Sequence, residues 1–538
     1  MSEGNQGIQM NNFLPSHRRR FLQLATAGAS TLWLPRSAWS QTRFASNPFL
    51  LGVASGAPDH SSVVLWTRLA LTGLFGAGIG KAPVTVRWEV AHDDKFTRMV
   101  HSGQALALAE LAHSVHVEVT GLESDRWYFY RFMVGDASSP TGRTRTLATP
   151  DAAPDRLRLA FASCQRWEHG YFSAYRHMLQ DNPDLVLFLG DYIYEYPNAS
   201  NAVRVPKGGW VLTLDDYRQR YALYRGDPDL QAAHAACPWL VTWDDHEVQN
   251  DYTGQHPGDS GPPVANFAER RAAAYQAFYE HMPVRSSVLM QGVARLSGGA
   301  EMRIYGQVRH GTLANLTLLD ARQYKDRQAC SRGGLPGSNS LDPATCPSWD
   351  DPQRSMLGQQ QERWLDTGFA AARAGALWNV IGQQSLLGQR DYRPGPQRFF
   401  WNDGWDGYGA ARTRLTDALR KHTLSNPVFL GGDIHENWVG HVKVDYTDPR
   451  SAALGVEFCG TSITSRSNSG DKTAERLAEN PHFVFADSLR KGYGVCEFTH
   501  KQLSTTLRVV DDVTRKDSKI ETLATFVVPA GRPVLERA

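Results

Sequence analysis

The chain has 538 residues, of which 41% are hydrophobic, 10% aromatic and 21% charged, close to the averages for globular proteins. This composition excludes disordered, collagen-like and multi-span membrane chains, and the length predicts two or more domains. Lys and Arg total 57 against 55 Asp and Glu, and residues 1–40 supply four arginines and one glutamate. The other 53 basic and 54 acidic residues nearly cancel, which gives no electrostatic basis for nucleic acid as a stable partner.

Residues 1–40 have the order of features that is typical of an export signal. A basic segment with the pair Arg18 and Arg19 precedes a mild apolar run, 24–34, which is too short to span a membrane. Small residues stand three and one before a predicted cut after Ser40. The pair resembles a twin-arginine signal, so we expect the twin-arginine export machinery as a partner, a periplasmic or secreted location, and no transmembrane segment in the mature chain. An amphipathic helix is the alternative, but apolar periodicity is absent.

Residues 45–150 are predicted to form a β-sandwich of the immunoglobulin or fibronectin kind. Short alternating segments separated by turns read as strands: Val63–Thr67, Val84–Val90, His116–Val119 and Trp127–Phe132. The segment 121–128 resembles the corner of such a sandwich, with a tyrosine near the start of a late strand. Nothing in this part indicates chemistry, so we expect a packing or spacer domain, followed by a linker over 148–154.

Residues 155–538 are predicted to form a layered α/β domain. Continuous apolar runs indicate strands buried on both faces: 157–163, 185–189, 238–242, 313–319, 377–381 and 427–430. Helical patterns, such as 174–180, 266–281 and 359–374, separate several of these runs. Because open α/β sheets place their sites at the carboxyl ends of strands, the polar residues there are the candidate functional residues.

Five of these strand ends carry residues of the types that bind metals. They are Ser163-Cys164-Gln165, the segment 190–195 with Asp191, the segment 243–250 with Asp244, Asp245 and His246, the segment 319–324, and the segment 431–437 with Asp433 and His435. Clustered carboxylates repel one another unless a metal neutralises them. The sequence therefore predicts a polyvalent cation site at one edge of the sheet.

These motifs resemble those of the calcineurin-like metallophosphoesterases, and more specifically of the alkaline phosphatase D (PhoD) family. The matching segments are Ser163-Cys164, 190–196, 243–248 with Asn250, 382–384 and 432–435. The resemblance covers nearly the whole chain and implies a metallophosphoesterase domain behind the β-sandwich. It also implies a secreted phosphatase that hydrolyses phosphate mono- and diesters by in-line attack of a metal-bound hydroxide, with ferric iron and one or two calcium ions as cofactors.

Carried over by position, the resemblance implies that Asp191 bridges the metals, with Tyr194 as a phenolate and Cys164 as a thiolate on iron. Thiolate, imidazole and phenolate ligands suit iron. Asp191 is accordingly expected to be indispensable for catalysis.

The resemblance places Asp245 and Asn250 on the calcium side, in keeping with the preference of calcium for oxygen ligands. Asp433 and His435 are the last metal ligands it implies, one on each side. His246 matches a histidine that faces the substrate or leaving group, and is the second catalytic residue expected. How the ligands divide between the metals stays open.

Other polar residues near these motifs have competing interpretations. Asp244 is either a ligand or a turn cap, and Asp320 with Arg322 is expected to support the site rather than contact phosphate. Arg390 is expected to form a surface salt bridge. Ordinary packing or surface roles are expected for His169, His234, Trp167 and Tyr192.

Two alternative functions remain at this point. One is a secreted binding protein with a purely structural metal, although structural calcium loops usually draw their ligands from one segment. The other is a phosphodiesterase or phospholipase-D-like hydrolase of lipid or wall-polymer phosphodiesters, because specificity would reside in loops such as 203–209 and 251–263.

Five of the six cysteines, all except Cys164, remain to be assigned in a chain that is expected to reach an oxidising compartment. Cys330 and Cys346 share the long loop 328–352 and are the most plausible disulfide. Cys237, Cys459 and Cys496 lie in or beside apolar strands and are predicted to be buried thiols.

Overall fold

The computed structural model describes residues 44, 46–70, 79–289, 301–372, 375–467, 470 and 472–538. The predicted export signal lies outside these residues. Among the helices in the described ranges, none combines the length and the apolar character that crossing a bilayer requires.

Between residues 46 and 70 and from residue 79 to 145, the N-terminal part contains strands and one short 3₁₀ turn. Its strands are β1 (Val53–Gly56), β2 (Val63–Arg68), β3 (Val84–Ala91), β4 (Met99–Ala107), β5 (Ser114–Val119), β6 (Trp127–Val134), β7 (Ala137–Ser138) and β8 (Gly142–Arg145). One sheet has the order β4-β3-β6-β7, with β8 beside β6, and shares an apolar core with β1, β2 and β5. The four predicted strands fall on β2, β3, β5 and β6. The corner tyrosine, Tyr128, accepts a hydrogen bond from the Glu123 amide (2.8 Å).

The remaining strands form the large body of the protein. They are β9 (Arg156–Ala162), β10 (Leu185–Leu189), β11 (Trp239–Thr242), β12 (Gly306–His310), β13 (Ala314–Leu318), β14 (Ser340–Leu341), β15 (Trp378–Gly382), β16 (Phe400–Trp401), β17 (Pro427–Gly431), β18 (Asn437–Lys443), β19 (Ala453–Cys459), β20 (Phe483–Asp487), β21 (Lys491–Thr499), β22 (Gln502–Val510), β23 (Ile520–Pro529) and β24 (Glu536–Arg537). A ten-stranded sheet has the order β24-β23-β22-β21-β9-β10-β11-β1-β2-β5, and a seven-stranded sheet the order β12-β13-β15-β17-β19-β18-β20. Strands β14 and β16 form a separate pair.

The N-terminal part is joined to this body by backbone hydrogen bonds, which the sequence did not predict. Strand β1 pairs in parallel with β11, with Gly56 opposite Trp239, so one sheet of the predicted sandwich continues the central sheet. A Cβ atom at Gly56 would lie 2.4 Å from the Pro283 carbonyl oxygen and 2.7 Å from that of Trp239. Only glycine allows this close approach. The chain therefore has an N-terminal domain and a sheet-rich body, and the division at residues 45–150 and 155–538 stays a prediction.

Each central strand is apolar on both faces because each face is covered by another layer. In β10, Leu185, Leu187 and Leu189 pack into the core between the two large sheets. Val186 and Phe188 alternate with them and pack against helices on the opposite face. This two-sided burial explains the continuous apolar runs that distinguish the body from the N-terminal strands.

Helices cover the outer faces of the two large sheets. Those that the structure describes from end to end are α1 (Ser173–Gln180), α2 (Leu214–Arg225), α3 (Pro228–Ala236), α4 (Phe267–His281), α5 (Gly358–Ala372), α6 (Gly409–Lys421) and α7 (Thr473–Glu479). The first four share a core with the ten-stranded sheet. Helices α5 and α6 share a core with the seven-stranded sheet through Ile381 and Phe429. The predicted helices over 174–180, 266–281 and 359–374 correspond to α1, α4 and α5.

The cysteines are arranged as the sequence predicts. Cys330 and Cys346 form a disulfide in the long loop, with their Cα atoms 5.9 Å apart. Cys237, Cys459 and Cys496 are buried free thiols, and Cys164 is buried and unpaired as well.

Candidate active site

The candidate ligands lie where the chain turns sharply after parallel strands. Cys164 follows β9, Asp191 follows β10, and Asp433 follows β17. These three residues and His435 have φ angles between 57° and 66°, in the left-handed region. Backbone of this kind costs roughly 1–3 kcal/mol per residue and persists only where surrounding contacts fix it. The turns bring side chains from both large sheets to one edge.

A first cluster joins residues from three distant strand ends. Candidate ligand atoms of Cys164, Asp191 and His435 all lie within 4.8 Å of one another. The hydroxyl of Tyr194 donates to Asp191 Oδ2 (2.8 Å) and lies 3.2 Å from His435 Nε2. The structure thus brings together thiol, carboxyl, imidazole and phenol groups, the donor set that the resemblance implies for iron.

The surroundings of His435 leave one ring nitrogen free for the cluster. Its Nδ1 lies 2.8 Å from the carbonyl oxygen of Arg466, a contact in which Nδ1 donates. This assigns the lone pair of the neutral ring to Nε2, on the side of Tyr194 and Asp191. Burial is the main cause that lowers the pKa of His435 below its usual value. The imidazole therefore has the protonation state that a metal ligand needs.

A second cluster shares Asp191 with the first. Candidate ligand atoms of Asp191, Asp245 and His246 lie within 4.8 Å of one another. The Oδ1 atom of Asp191 is buried without a hydrogen-bond partner, and so is Oδ2 of Asp244. Buried carboxylate oxygens without partners are costly, so this centre fits cations well, with Asp191 able to contact one on each side.

The carboxylates at this edge are crowded enough to disturb each other's ionisation. Burial, reinforced by the negative charges of Asp245 and Asp191, raises the pKa of Asp244 to about 8. Burial and Asp244 likewise raise the pKa of Asp433 well above its usual value. Burial also raises the pKa of Asp191, but the charge of His246 and the hydrogen bond from the Tyr194 hydroxyl outweigh it, so this carboxyl has a pKa below its usual range.

His246 is held by a buried carboxylate that the sequence analysis did not single out. Its Nδ1 lies 2.7 Å from Glu195 Oε2. Burial alone would lower the pKa of His246, but Glu195, Asp191 and Asp245 raise it well above its usual value. The contact with Glu195 occupies Nδ1 and leaves Nε2 as the ring nitrogen that can face the site.

A second missed carboxylate, Glu247, fixes the turns themselves. Its Oε1 accepts a hydrogen bond from the Tyr192 amide (2.6 Å), and its Oε2 accepts from the amides of Asp191 (3.1 Å) and Asp244 (2.8 Å). One buried side chain thus ties the turn after β10 to the turn after β11. Both glutamates lie inside the motifs at 190–196 and 243–248, and this position in the sequence could have indicated a role at the site.

Arg322 supplies the positive charge behind the cluster. Its guanidinium pairs with Asp244, lies 3.6 Å from Asp245 and 2.6 Å from Asp403. Lys325 holds Asp403 from the other side (2.8 Å). Asp245, Asp251 and Asp403 also lie within 4.8 Å of one another, but these two cations compensate much of their charge. Arg322 supports the site as predicted, and its ion pair with Asp244 holds that carboxylate in place.

The remaining predicted residues have individual outcomes. Asn250 donates its backbone amide to Glu195 (2.7 Å), and its role as a calcium ligand stays a prediction. Asp320 accepts from the Trp243 indole (3.1 Å) and contacts Arg322 only through the backbone amide of that residue (3.0 Å). The surface salt bridge predicted for Arg390 is wrong, because Arg390 is buried and pairs with buried Glu436 (3.0 Å).

The residues predicted to have packing or surface roles are buried or half-buried. The Tyr192 hydroxyl lies 2.9 Å from His234 Nε2, in the core beneath α3. The indole of Trp167 packs under Arg204, whose guanidinium carbon lies 3.5 Å from the ring centroid. His169 is buried and accepts through Nδ1 from the Arg466 amide (3.1 Å).

Comparison with known proteins agrees with this geometry over nearly the whole chain. The family model described as PhoD-like phosphatase matches residues 159–507, and the model of the N-terminal domain of PhoD-like phosphatases matches residues 35–148. Alkaline phosphatase D of Bacillus subtilis (strain 168) is 43% identical, over 97% of this chain and 88% of its own length. A solved structure described as PhoD superposes with a TM-score of 0.85 at 42% identity, covering 92% of this chain and 93% of the other.

These matches exceed what a shared fold alone would give, since they combine high identity with almost complete coverage of both partners. They decide against a binding protein with a purely structural metal, because the family is one of enzymes that hydrolyse phosphoric esters. The chain belongs to the PhoD-like phosphatases.

Proposed function

We propose that this phosphatase is exported and hydrolyses phosphate mono- and diesters by in-line displacement, with ferric iron and calcium as its cofactors. The observation that carries the proposal is the position of Asp191, which belongs to two ligand clusters and has a buried oxygen without a partner. Two cations held at such a shared carboxylate would neutralise the phosphate and lower the pKa of the attacking water.

The chemical types of the donor atoms support a division of the ligands between iron and calcium. Cys164, Tyr194 and His435 would hold iron together with Asp191, because soft and imidazole ligands suit a transition metal. Asp245 and Asn250 offer oxygen ligands, which calcium prefers. Asp433, crowded by the other carboxylates, completes the set.

His246 and Glu195 would supply the proton for the leaving group. Glu195 keeps Nδ1 occupied at 2.7 Å, so the protonated ring can present Nε2 to the departing oxygen. The ring of Tyr194 packs beside it, with centroids 4.2 Å apart, and limits its rotation. Glu195 is therefore a positioning residue, and His246 the group that touches substrate.

The Asp191→Asn variant is expected to lose turnover of 4-nitrophenyl phosphate while keeping the fold. An amide cannot supply the charge that a bridging ligand needs, so the variant should also retain less metal, measured by elemental analysis. Asp366→Asn, at a half-buried carboxylate on α5 outside the site, is the matched control. Wild-type metal content with near-normal activity in Asp191→Asn would remove Asp191 from this role.

The loaded wild-type enzyme is expected to be coloured, because a ferric centre bound by thiolate and phenolate absorbs visible light. Cys164→Ala should bleach the band and Tyr194→Phe should shift it, whereas Cys237→Ala, at a buried thiol outside the site, should leave the spectrum unchanged. Visible absorption and iron content test this. A colourless, iron-free preparation with full activity would refute the iron assignment.

His246→Asn is expected to slow hydrolysis of methyl phosphate by about 100–10,000-fold, and Glu195→Gln is expected to slow it less. Both changes should affect 4-nitrophenyl phosphate much less, because nitrophenolate leaves without needing a proton. The measurement is kcat for the two esters in each variant. Equal losses on both esters would show that the pair does not act as proton donor.

Export is expected to depend on Arg18 and Arg19. Changing both residues to lysine preserves the charge but removes the twin-arginine pattern, so the protein should accumulate in the cytoplasm, measured by cell fractionation. The disulfide between Cys330 and Cys346 supports an oxidising destination. Export of the double-lysine protein at the wild-type level would contradict the twin-arginine assignment.

A further inference from the structure

Two aromatic side chains border the candidate active site without a role in the proposed chemistry. Tyr196 follows Glu195 directly, and its ring centroid lies 5.7 Å from that of His246. The ring of Trp210 lies 5.1 Å from Tyr196, inclined by 32°. Both residues are half-buried rather than fully enclosed. We call Tyr196 and Trp210 together the aromatic wall.

The wall is fixed from behind by charged and backbone contacts. The guanidinium carbon of Arg166 lies 4.3 Å from the Tyr196 ring centroid and 4.0 Å from that of Tyr194. The amide of Val211, next to Trp210, donates to the Glu195 carbonyl oxygen (2.8 Å). Glu195, which orients His246, therefore also anchors the segment that carries Trp210.

The wall also joins two of the loops that the sequence analysis connected with specificity. Trp210 directly follows the loop 203–209, and it packs against Gly261 in the loop 251–263. A Cβ atom at Gly261 would lie 2.6 Å from Trp210 Cζ3, and Gly261 has φ of +91°, so only glycine fits there without displacement. Both loops thus meet on the indole of Trp210.

We propose that the aromatic wall binds the alcohol part of the phosphate ester and selects for aromatic leaving groups. This inference rests on the proposed function, in which His246 lies at the leaving group: Glu195 holds its Nδ1 (2.7 Å), so the side chains around the free edge of the ring lie beside the alcohol part. Tyr194 is assigned to the metal, so Tyr196 is the next ring beside this position, and Trp210 extends it. Aromatic rings bind other aromatic groups in stacked or edge-to-face arrangements, which alkyl alcohols cannot form.

The test compares 2-naphthyl phosphate with methyl phosphate in the metal-loaded enzyme. Trp210→Leu is expected to lower the ratio of kcat/KM for naphthyl over methyl ester by about tenfold, chiefly through a higher KM for the naphthyl ester. Tyr196→Leu should lower the same ratio. Trp127→Leu, which removes a half-buried indole from the N-terminal domain, should leave the ratio at its wild-type value.

A purely structural role for the wall would lower kcat/KM for both esters equally and leave the ratio unchanged, and this result would overturn the inference. Calorimetric measurement of phenylphosphonate and methylphosphonate binding tests the aromatic wall separately from the proposed function, because binding requires no turnover. If wild-type enzyme hydrolyses neither ester, the proposed function fails, yet the wall still predicts tighter binding of phenylphosphonate that Trp210→Leu abolishes. Equal affinity of the wild-type enzyme for both phosphonates would show that the aromatic wall does not select aromatic groups.

Discussion

The repulsion among Asp191, Asp244, Asp245 and Asp433 is the constraint around which the site is built. All four carboxyls lie at one buried sheet edge, and the raised pKa values of Asp244 and Asp433 report the cost of placing them together. Arg322 offsets part of the charge, but one guanidinium cannot balance four carboxylates. Polyvalent cations are the remaining way to keep the cluster ionised, which is why metal chemistry follows from the fold of this edge.

Holding these groups together also requires an unfavourable backbone. Asp191 and Asp433 both adopt left-handed φ angles that non-glycine residues avoid. Glu247 offsets this cost by accepting three amide hydrogen bonds from two turns, after β10 and after β11. A second structural support comes from Arg322, which joins the turn after β11 to the segment after β13. Rigid turns and buried counter-charges together determine where the ligands point.

The sequence predicted the parts of this arrangement that depend on local pattern. Strands such as β10 are apolar on both faces and end in acidic residues, so their ends could be identified and expected to meet. The roles of Glu195 and Glu247 could not be predicted, because they depend on which amides and rings face each carboxylate across tens of residues. The same holds for Arg390, whose partner Glu436 is buried next to it only in the folded chain.

Long-range pairing also explains why the N-terminal part was predicted as a separate sandwich. Strand β1 has four residues, and its pairing with β11 joins positions nearly two hundred residues apart, so no local pattern reveals it. The pairing matters for the site because β11 leads directly into Asp244 and Asp245. The N-terminal strands thus complete the sheet whose edge carries the ligands, rather than acting only as a spacer.

The state of Cys164 links the site to the proposed export. Burial, together with the charge of Asp191, raises the pKa of this thiol well above its usual value, so it is protonated and poorly reactive unless a cation compensates the thiolate. The three other free cysteines are buried as well, and only the loop cysteines, Cys330 and Cys346, are joined. Export of the already folded chain would fit this pattern, since Cys164 would enter an oxidising compartment only after the surrounding strands had closed over it and separated it from other thiols.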